Sequence, residues 1–248
     1  DVRYSYEPEL LGTAGGVKKN EDFLGVDTFL IMSGDALTDT EITEVLGAFK
    51  ARVLDLRNDL RFRYVLLFKN QGSAAGASLE HSHSQLIALP ITPRQVQEEI
   101  EGARRHFEHR ERCIFCDIVM QERKDRARLI HENEEFVVFA PWAPRSPFET
   151  WILPKNHLSN YEDCQKSEFR GLANALRTTL RKLDAALEKP PYNFILHTSP
   201  LNQRGLAHYH WHIEIAPKLT KVAGFEWGSS FFLNPTPPEE AAQFLCDA

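Results

Sequence analysis

Residues 68–90 read FKNQGSAAGASLEHSHSQLIALP, and the reading of this stretch decides the fold. The strand-like apolar run YVLLF at 64–68 leads into it, and a second apolar run, LIAL at 86–89, closes it. Between them lies a loop of small residues. Gly72 and Gly76 allow close backbone approach there, and the backbone N–H groups of such a loop can cradle phosphate oxygens. In extended chain, residues i, i+2 and i+4 share one face, so His81, His83 and Gln85 are expected to point the same way. A neutral imidazole can attack phosphorus and hold the group covalently while an amide steadies the charged oxygens around it. Taken alone, an HxH pair is more often a polar strand edge with two ordinary surface histidines. A second copy of the pattern argues for the chemical reading.

That copy lies near the C-terminus. Residues 192–197 read YNFILH, a loop rich in Ser, Pro, Asn and Gly follows, and 208–217 read HYHWHIEIAP. With His210 laid on His81, strand, loop, HxHx(Q/E), apolar pair and proline recur in the same order. Phe68 and His197 each stand thirteen residues before the motif. Internal repetition of this kind defines architecture. The chain is expected to be α+β, two tandem copies of one unit with antiparallel sheets and packed helices. The expected divisions are 1–93, a linking helix at 94–112, and 113–248.

The chain has 248 residues, ample for a core, and 42% are hydrophobic. No run approaches the roughly 18 apolar residues of a membrane span. A net charge of −6 argues against a dedicated nucleic-acid binder. The first residue is Asp1 rather than Met, so the start of the first unit is expected to be trimmed. Four cysteines without a disulfide framework suggest a reducing, cytoplasmic setting.

In chain order, a loop is expected at 12–16 and a strand at 26–32. A helix at 38–59 would bury Ile42, Val45, Leu46, Phe49, Val53, Leu54 and Leu56. A charged helix is expected at 95–112, with His106 and His109 on a solvated face. Cys113-Ile-Phe-Cys116 opens the second copy. The CxxC pair supplies two ligands of a structural zinc or, with a helix starting after its first cysteine, a redox pair. Candidate partners for zinc are His157 and His210, with His131 a weaker third. Strands are expected at 131–140 and 150–154, and a helix at 167–188 with Leu172, Leu176, Leu180, Leu183 and Leu187 on one stripe, stopped by Pro190 and Pro191. The aromatic stretches 222–228 and 231–235 look strand-like, and 239–248 a short closing helix.

These residues together resemble the histidine triad superfamily, specifically its nucleotidyltransferase branch of the galactose-1-phosphate uridylyltransferase type. The motifs that carry the resemblance are FKNQGSAAGAS at 68–78, HSHSQ at 81–85, CIFC at 113–116, PFE at 147–149, LPKNH at 153–157, YNF at 192–194 and GFEWG at 224–228. The glutamine that ends HxHxQ matches the transferase branch, where hydrolases and binding proteins carry a third histidine. The resemblance implies His83 as the nucleophile, Gln85 as the amide on the donor phosphates, and Asn70, Gly72, Gly76 and Ser78 in the phosphate loop. It also implies Glu226 as a residue that holds hexose hydroxyls, and Cys113, Cys116, His157 and His210 as a structural zinc site. His212 and Glu214 fall where a second nucleophile and its glutamine would be, and a carboxylate there would repel phosphate.

Two departures from the family pattern stand out. No cysteine or histidine precedes His81, so a first-copy metal site is expected to be absent and His81 is left to orient His83. Ala77 replaces a cysteine common in uridylyltransferases, which points towards the ADP-glucose phosphorylase-like subgroup. The implied activity moves a nucleoside monophosphate between a sugar nucleotide and a hexose 1-phosphate or inorganic phosphate, in a possible homodimer. Alternatives are an ADP-glucose phosphorylase, a dinucleoside polyphosphate phosphorylase or hydrolase, and a nucleotide-binding protein without turnover.

Overall fold

The structure, a computed structural model, describes residues 32–33, 39–77 and 83–248. The expected loop at 12–16 and most of the strand at 26–32 lie outside these residues, as do Ser78 and His81. Among the described residues the strands are β1 (Met32–Ser33), β2 (Tyr64–Gln71), β3 (His83–Leu89), β4 (Leu129–Glu132), β5 (Phe136–Phe139), β6 (Thr150–Pro154), β7 (Tyr192–His197) and β8 (His212–Pro217). The α-helices, numbered in order, are α1 (Asp39–Leu56), α2 (Arg94–Arg110), α3 (Ile114–Asp125), α4 (Glu168–Ala186), α5 (Gly224–Ser229) and α6 (Pro238–Asp247).

All pairings are antiparallel and form one eight-stranded sheet in the order β1-β3-β2-β7-β8-β6-β5-β4, an α+β fold as the sequence suggests. The β2–β3 hairpin carries the first histidine motif and the β7–β8 hairpin the second. They meet along a β2–β7 seam in which Leu67 pairs with Leu196 and Asn70 with Asn193. The equal thirteen-residue spacings predict equal registers. They are not equal: Phe68 pairs with Gln85, whereas His197 pairs with His212 and Ile195 with Glu214. The slip is by an even number of residues, so the same side chains stay on the same face.

One face of the sheet is covered along the length of both hairpins. Leu46, Phe49 and Val53 of α1 and Leu172, Leu176 and Leu183 of α4 share a core with Val65, Leu67, Leu196, Ile213 and Ile215. Each such side chain contributes about 1.5–3 kcal/mol by leaving water. Leu180 and Leu187 complete the leucine stripe at the edge of this core. The opposite face is covered over β5 and β6, where Ala103 of α2 and Phe115 and Val119 of α3 pack with Val137, Phe139 and Leu153, and on over β8 and the end of β7, where Phe115 stacks on His212 and Glu99 of α2 lies against His197. Among the described residues that second face is least covered over β3, where Ile87 is 44% exposed.

Helix boundaries fall within a few residues of expectation. Two elements differ more. The 131–140 stretch breaks into β4 and β5, because Asn133 Oδ1 accepts from the backbone N–H groups of Glu135 (3.1 Å) and Phe136 (2.8 Å) and makes a tight turn. Residues 224–229 are helical instead of extended. Here Glu226 Oε2 accepts from Ala223 N–H at 3.0 Å and satisfies the helix start. The following stretch, 231–235, pairs with no strand.

Candidate active site and metal centre

The small-residue loop takes its shape from two glycines. Gly72 (φ +80°) enters and Gly76 (φ +84°) leaves a single 3-10 turn at Ser73–Ala75. Both angles lie in the left-handed region that suits a residue without Cβ. At Gly72 a Cβ would also stand 3.0 Å from the Cβ of Pro191. Asn70 at the end of β2 and Asn193 in β7 sit opposite each other and brace the loop. Asn193 Nδ2 donates to Asn70 Oδ1 and to Ala75 O, each at 2.8 Å, and Asn70 Nδ2 approaches Gly76 O at 3.5 Å.

His83 opens β3 and is buried. Gln85, on the same face, donates its Nε2–H to His83 Nε2 at 3.1 Å. An amide N–H in this position can donate to an imidazole nitrogen that carries no proton, the form a nucleophile requires. On the neighbouring strands, Phe68 (the register partner of Gln85), Ile195, Leu66, Pro93 and Val96 line a cavity of about 260 Å³, with Asn70, Asn193, Gln95 and His197 as its polar groups. An apolar floor with a few convergent polar groups is what small-molecule sites look like. Glu226 lines no part of this cavity; in α5 its carboxylate is held by backbone N–H groups, which lower it from the usual range.

Cys113, Cys116, His157 and His210 converge, their ligand atoms all within 4.8 Å of one another. Cys116 Sγ lies 3.3 Å from His157 Nδ1 and 3.6 Å from His210 Nδ1. The far nitrogens are anchored on carbonyls: His157 Nε2–H donates to Leu206 O (3.1 Å) and His210 Nε2–H to Pro154 O (2.9 Å). This fixes both tautomers with Nδ1 free for a metal, the outer arrangement that ligating histidines have. Hydrogen bonding from Cys116 and then from the imidazoles holds the Cys113 thiol far below its usual range. Cys113 is the residue before α3, so the helix start that a redox pair needs is present. The two imidazoles beside the thiols argue for metal instead. His131 takes no part and contacts Asn174 Oδ1 at 3.4 Å.

The second histidine motif is used differently from the first. His212 is fully buried, stacked on His197 (centroids 4.7 Å, 7°) and on Trp151 (5.1 Å, 25°). No substrate can reach a ring enclosed in this way. Glu99 of α2 and Glu214 bracket the two imidazoles at 3.2–3.7 Å, within ion-pair distance but outside hydrogen-bond geometry. Burial works against a charge on His197, yet Glu214 and Glu99 raise it to about 10. Glu99, His197 and His212 have ligand atoms within 4.8 Å of one another and form a second group able to hold a metal ion. Sequence reasoning gave no role to Glu99, His197 or Asn193. Glu99 had one signal: an acid three residues after Val96, inside the stripe that α2 buries with Ala103.

The chain matches the family model described as "Domain of unknown function (DUF4921)" over residues 27–247. It is 38% identical over 206 residues to ADP-glucose phosphorylase of Arabidopsis thaliana, covering 82% of this chain and 57% of that protein. To galactose-1-phosphate uridylyltransferase of Thermotoga maritima it is 30% identical over 244 residues, covering 93% of this chain and 76% of that protein. A crystal structure of an Arabidopsis ADP-glucose phosphorylase with bound ADP-glucose superposes with a TM-score of 0.83 at 32% identity, over 93% of this chain and 78% of that one. The chain thus spans little more than half of the plant enzyme's curated length. Together with the HxHxQ motif, the glycine loop and the Cys/His cluster, these matches show that the chain belongs to the DUF4921 family within the galactose-1-phosphate uridylyltransferase-like group.

Proposed function

We propose that the chain is a nucleotidyltransferase working by double displacement on His83. The observation that carries this reading is the His83–Gln85 pair, a buried imidazole with an amide 3.1 Å from its Nε2, on the strand next to the one that carries the glycine-bounded loop and the cavity-lining Phe68 and Asn70. A sugar nucleotide binds with its phosphates against the loop that includes Asn70, Gly72, Gly76 and Ser78. His83 Nε2 forms a bond to the α-phosphorus as the bond to the bridging oxygen breaks, and the electron pair leaves on sugar 1-phosphate. Gln85, released from Nε2, donates to a phosphoryl oxygen. A phosphate oxygen of a second substrate, hexose 1-phosphate or inorganic phosphate, then attacks phosphorus and returns the lone pair to Nε2. Splitting one displacement into two lets a single site serve both acceptors and gives ping-pong kinetics. His81 is read as orienting His83, and Glu226 as reaching hexose hydroxyls.

The Cys113, Cys116, His157 and His210 cluster is read as a structural zinc site, which two thiolates and two neutral imidazoles suit. Burial lowers His210, which favours the neutral form that binds metal. The two histidine motifs are read as two units, 1–93 and 113–248, joined by the 94–112 helix. Phe225, Trp227, Phe231 and Leu233 are all more than half exposed on adjacent residues, which supports a second copy of the chain as the partner that covers them. No helix among the described residues is long and apolar enough to cross a membrane, and a cytoplasmic setting is the reading adopted. The test is His83→Ala: it is expected to abolish transfer with both acceptors while the thermal transition stays near wild type. A variant retaining near-native turnover would refute the nucleophile.

A further inference from the structure

We propose that Asn193, contributed by the second half of the chain, is a positioning residue that locks the Asn70 amide with its N–H donor towards the substrate phosphates. This rests on the transferase reading and adds a residue that the reading does not contain. The orientation follows from a chain of hydrogen bonds with one unambiguous end. Ala75 O can only accept, so the Asn193 group 2.8 Å from it must be the NH2. The same Nδ2 lies 2.8 Å from Asn70, so the atom of Asn70 that faces it must be the carbonyl oxygen. Asn70 therefore turns its own NH2 the other way, towards the loop. There, among the described residues, Nδ2 has only a long contact to Gly76 O at 3.5 Å, which leaves donor capacity for an anion.

An amide has no intrinsic preference between its two orientations, and the wrong one would present a carbonyl dipole to phosphate oxygens. The β2–β7 register, which sets Asn70 opposite Asn193, removes that choice before substrate arrives. Pro191, two residues before Asn193, packs where a Cβ on Gly72 would lie, so the same strand also fixes the entrance of the loop.

Asn193→Asp is the discriminating variant. It is close to isosteric, but its carboxylate repels Ala75 O and draws the Asn70 NH2 towards itself, leaving the Asn70 oxygen facing the phosphates. ADP-glucose and UDP-glucose are used as donors, with calorimetric binding measured beside kinetics. The variant is expected to weaken binding and raise KM on the order of tenfold to a hundredfold, with a smaller effect on kcat. In an Asn70→Ala background the same substitution is expected to cost much less, because Asn193 acts chiefly through Asn70 and only the repulsion from Ala75 O remains. A residue that merely braced the loop through Ala75 would cost equally in both backgrounds, and equal cost overturns the proposal. So does unchanged KM. Should the Asp variant not fold, Asn193→Ser retains one donor and is expected to give a partial loss, again smaller in Asn70→Ala. If wild type binds neither donor, the transferase reading falls and this inference with it. If wild type binds and the cycle is additive, only this inference falls.

Discussion

Glu162 is buried with neither carboxylate oxygen in a hydrogen bond, and its nearest cation, Arg57 Nη1, lies 3.7 Å away. Burial raises its carboxyl above the usual range, more than its own backbone N–H and Arg57 lower it. The sign follows from linkage. Between the ordinary and the raised value the folded state holds the proton and the unfolded state does not, so stability rises as pH falls through that window and is lost as pH rises. Glu162→Gln is expected to stabilise the protein by about 1 kcal/mol at pH 8 and to flatten the slope of thermal stability between pH 8 and pH 5. An unchanged slope would mean that another group carries it. At this scale the sequence was legible where side chains act along one strand, as His83 and Gln85 do two residues apart. It was not legible for Asn193 and Glu99. Their partners come from cross-strand register and helix docking, between residues more than a hundred positions apart or nearly so.

Among the elements, the Cys/His cluster ties three of them together: the start of α3, the loop after β6 that carries His157, and the approach to β8 that carries His210. Any ion bound there stabilises the folded chain over the unfolded one. At a hundredfold above Kd the gain is about 2.7 kcal/mol, which for a chain of this length is a fall of roughly 5–10 °C in Tm when the metal is stripped. Dialysis against a strong chelator, followed by calorimetry and elemental analysis, is expected to show that loss and its recovery on adding zinc. Cys116→Ser should remove most of the effect. A Tm indifferent to chelation and to added zinc would argue for free thiols. Helices with strong apolar periodicity, α1 and α4, were readable to within a few residues because their faces are core. The α5 segment was misread as strand because its Phe and Trp favour strands locally. Its helix rests on the Glu226 cap, and its aromatic side chains are exposed.

For the whole molecule, the repeat was the most legible feature, and it correctly gave paired hairpins on an antiparallel sheet. What it could not give was that β2 and β7 join the hairpins into one sheet, whose second face is, among the described residues, less covered over β3 than over the second histidine motif, which α2 and α3 seal. That asymmetry explains why two similar motifs have different fates: His83 lies on the strand next to the cavity-lining Phe68 and Asn70, and His212 is enclosed by rings. The exposed aromatic stretch of α5 and the residues after it should also matter at this scale. Sedimentation is expected to give twice the chain mass, with Trp227→Ser shifting the population towards single chains; a concentration-independent monomer would remove the second copy from the account. The central claim is the covalent intermediate on His83. Its most direct test is the intact mass of the protein after brief exposure to ADP-glucose or UDP-glucose, quenched in mild alkali that preserves phosphohistidine. A gain equal to the nucleoside monophosphate moiety, absent in His83→Ala, is the expected result. No gain with either donor, in protein that binds them, would contradict the account.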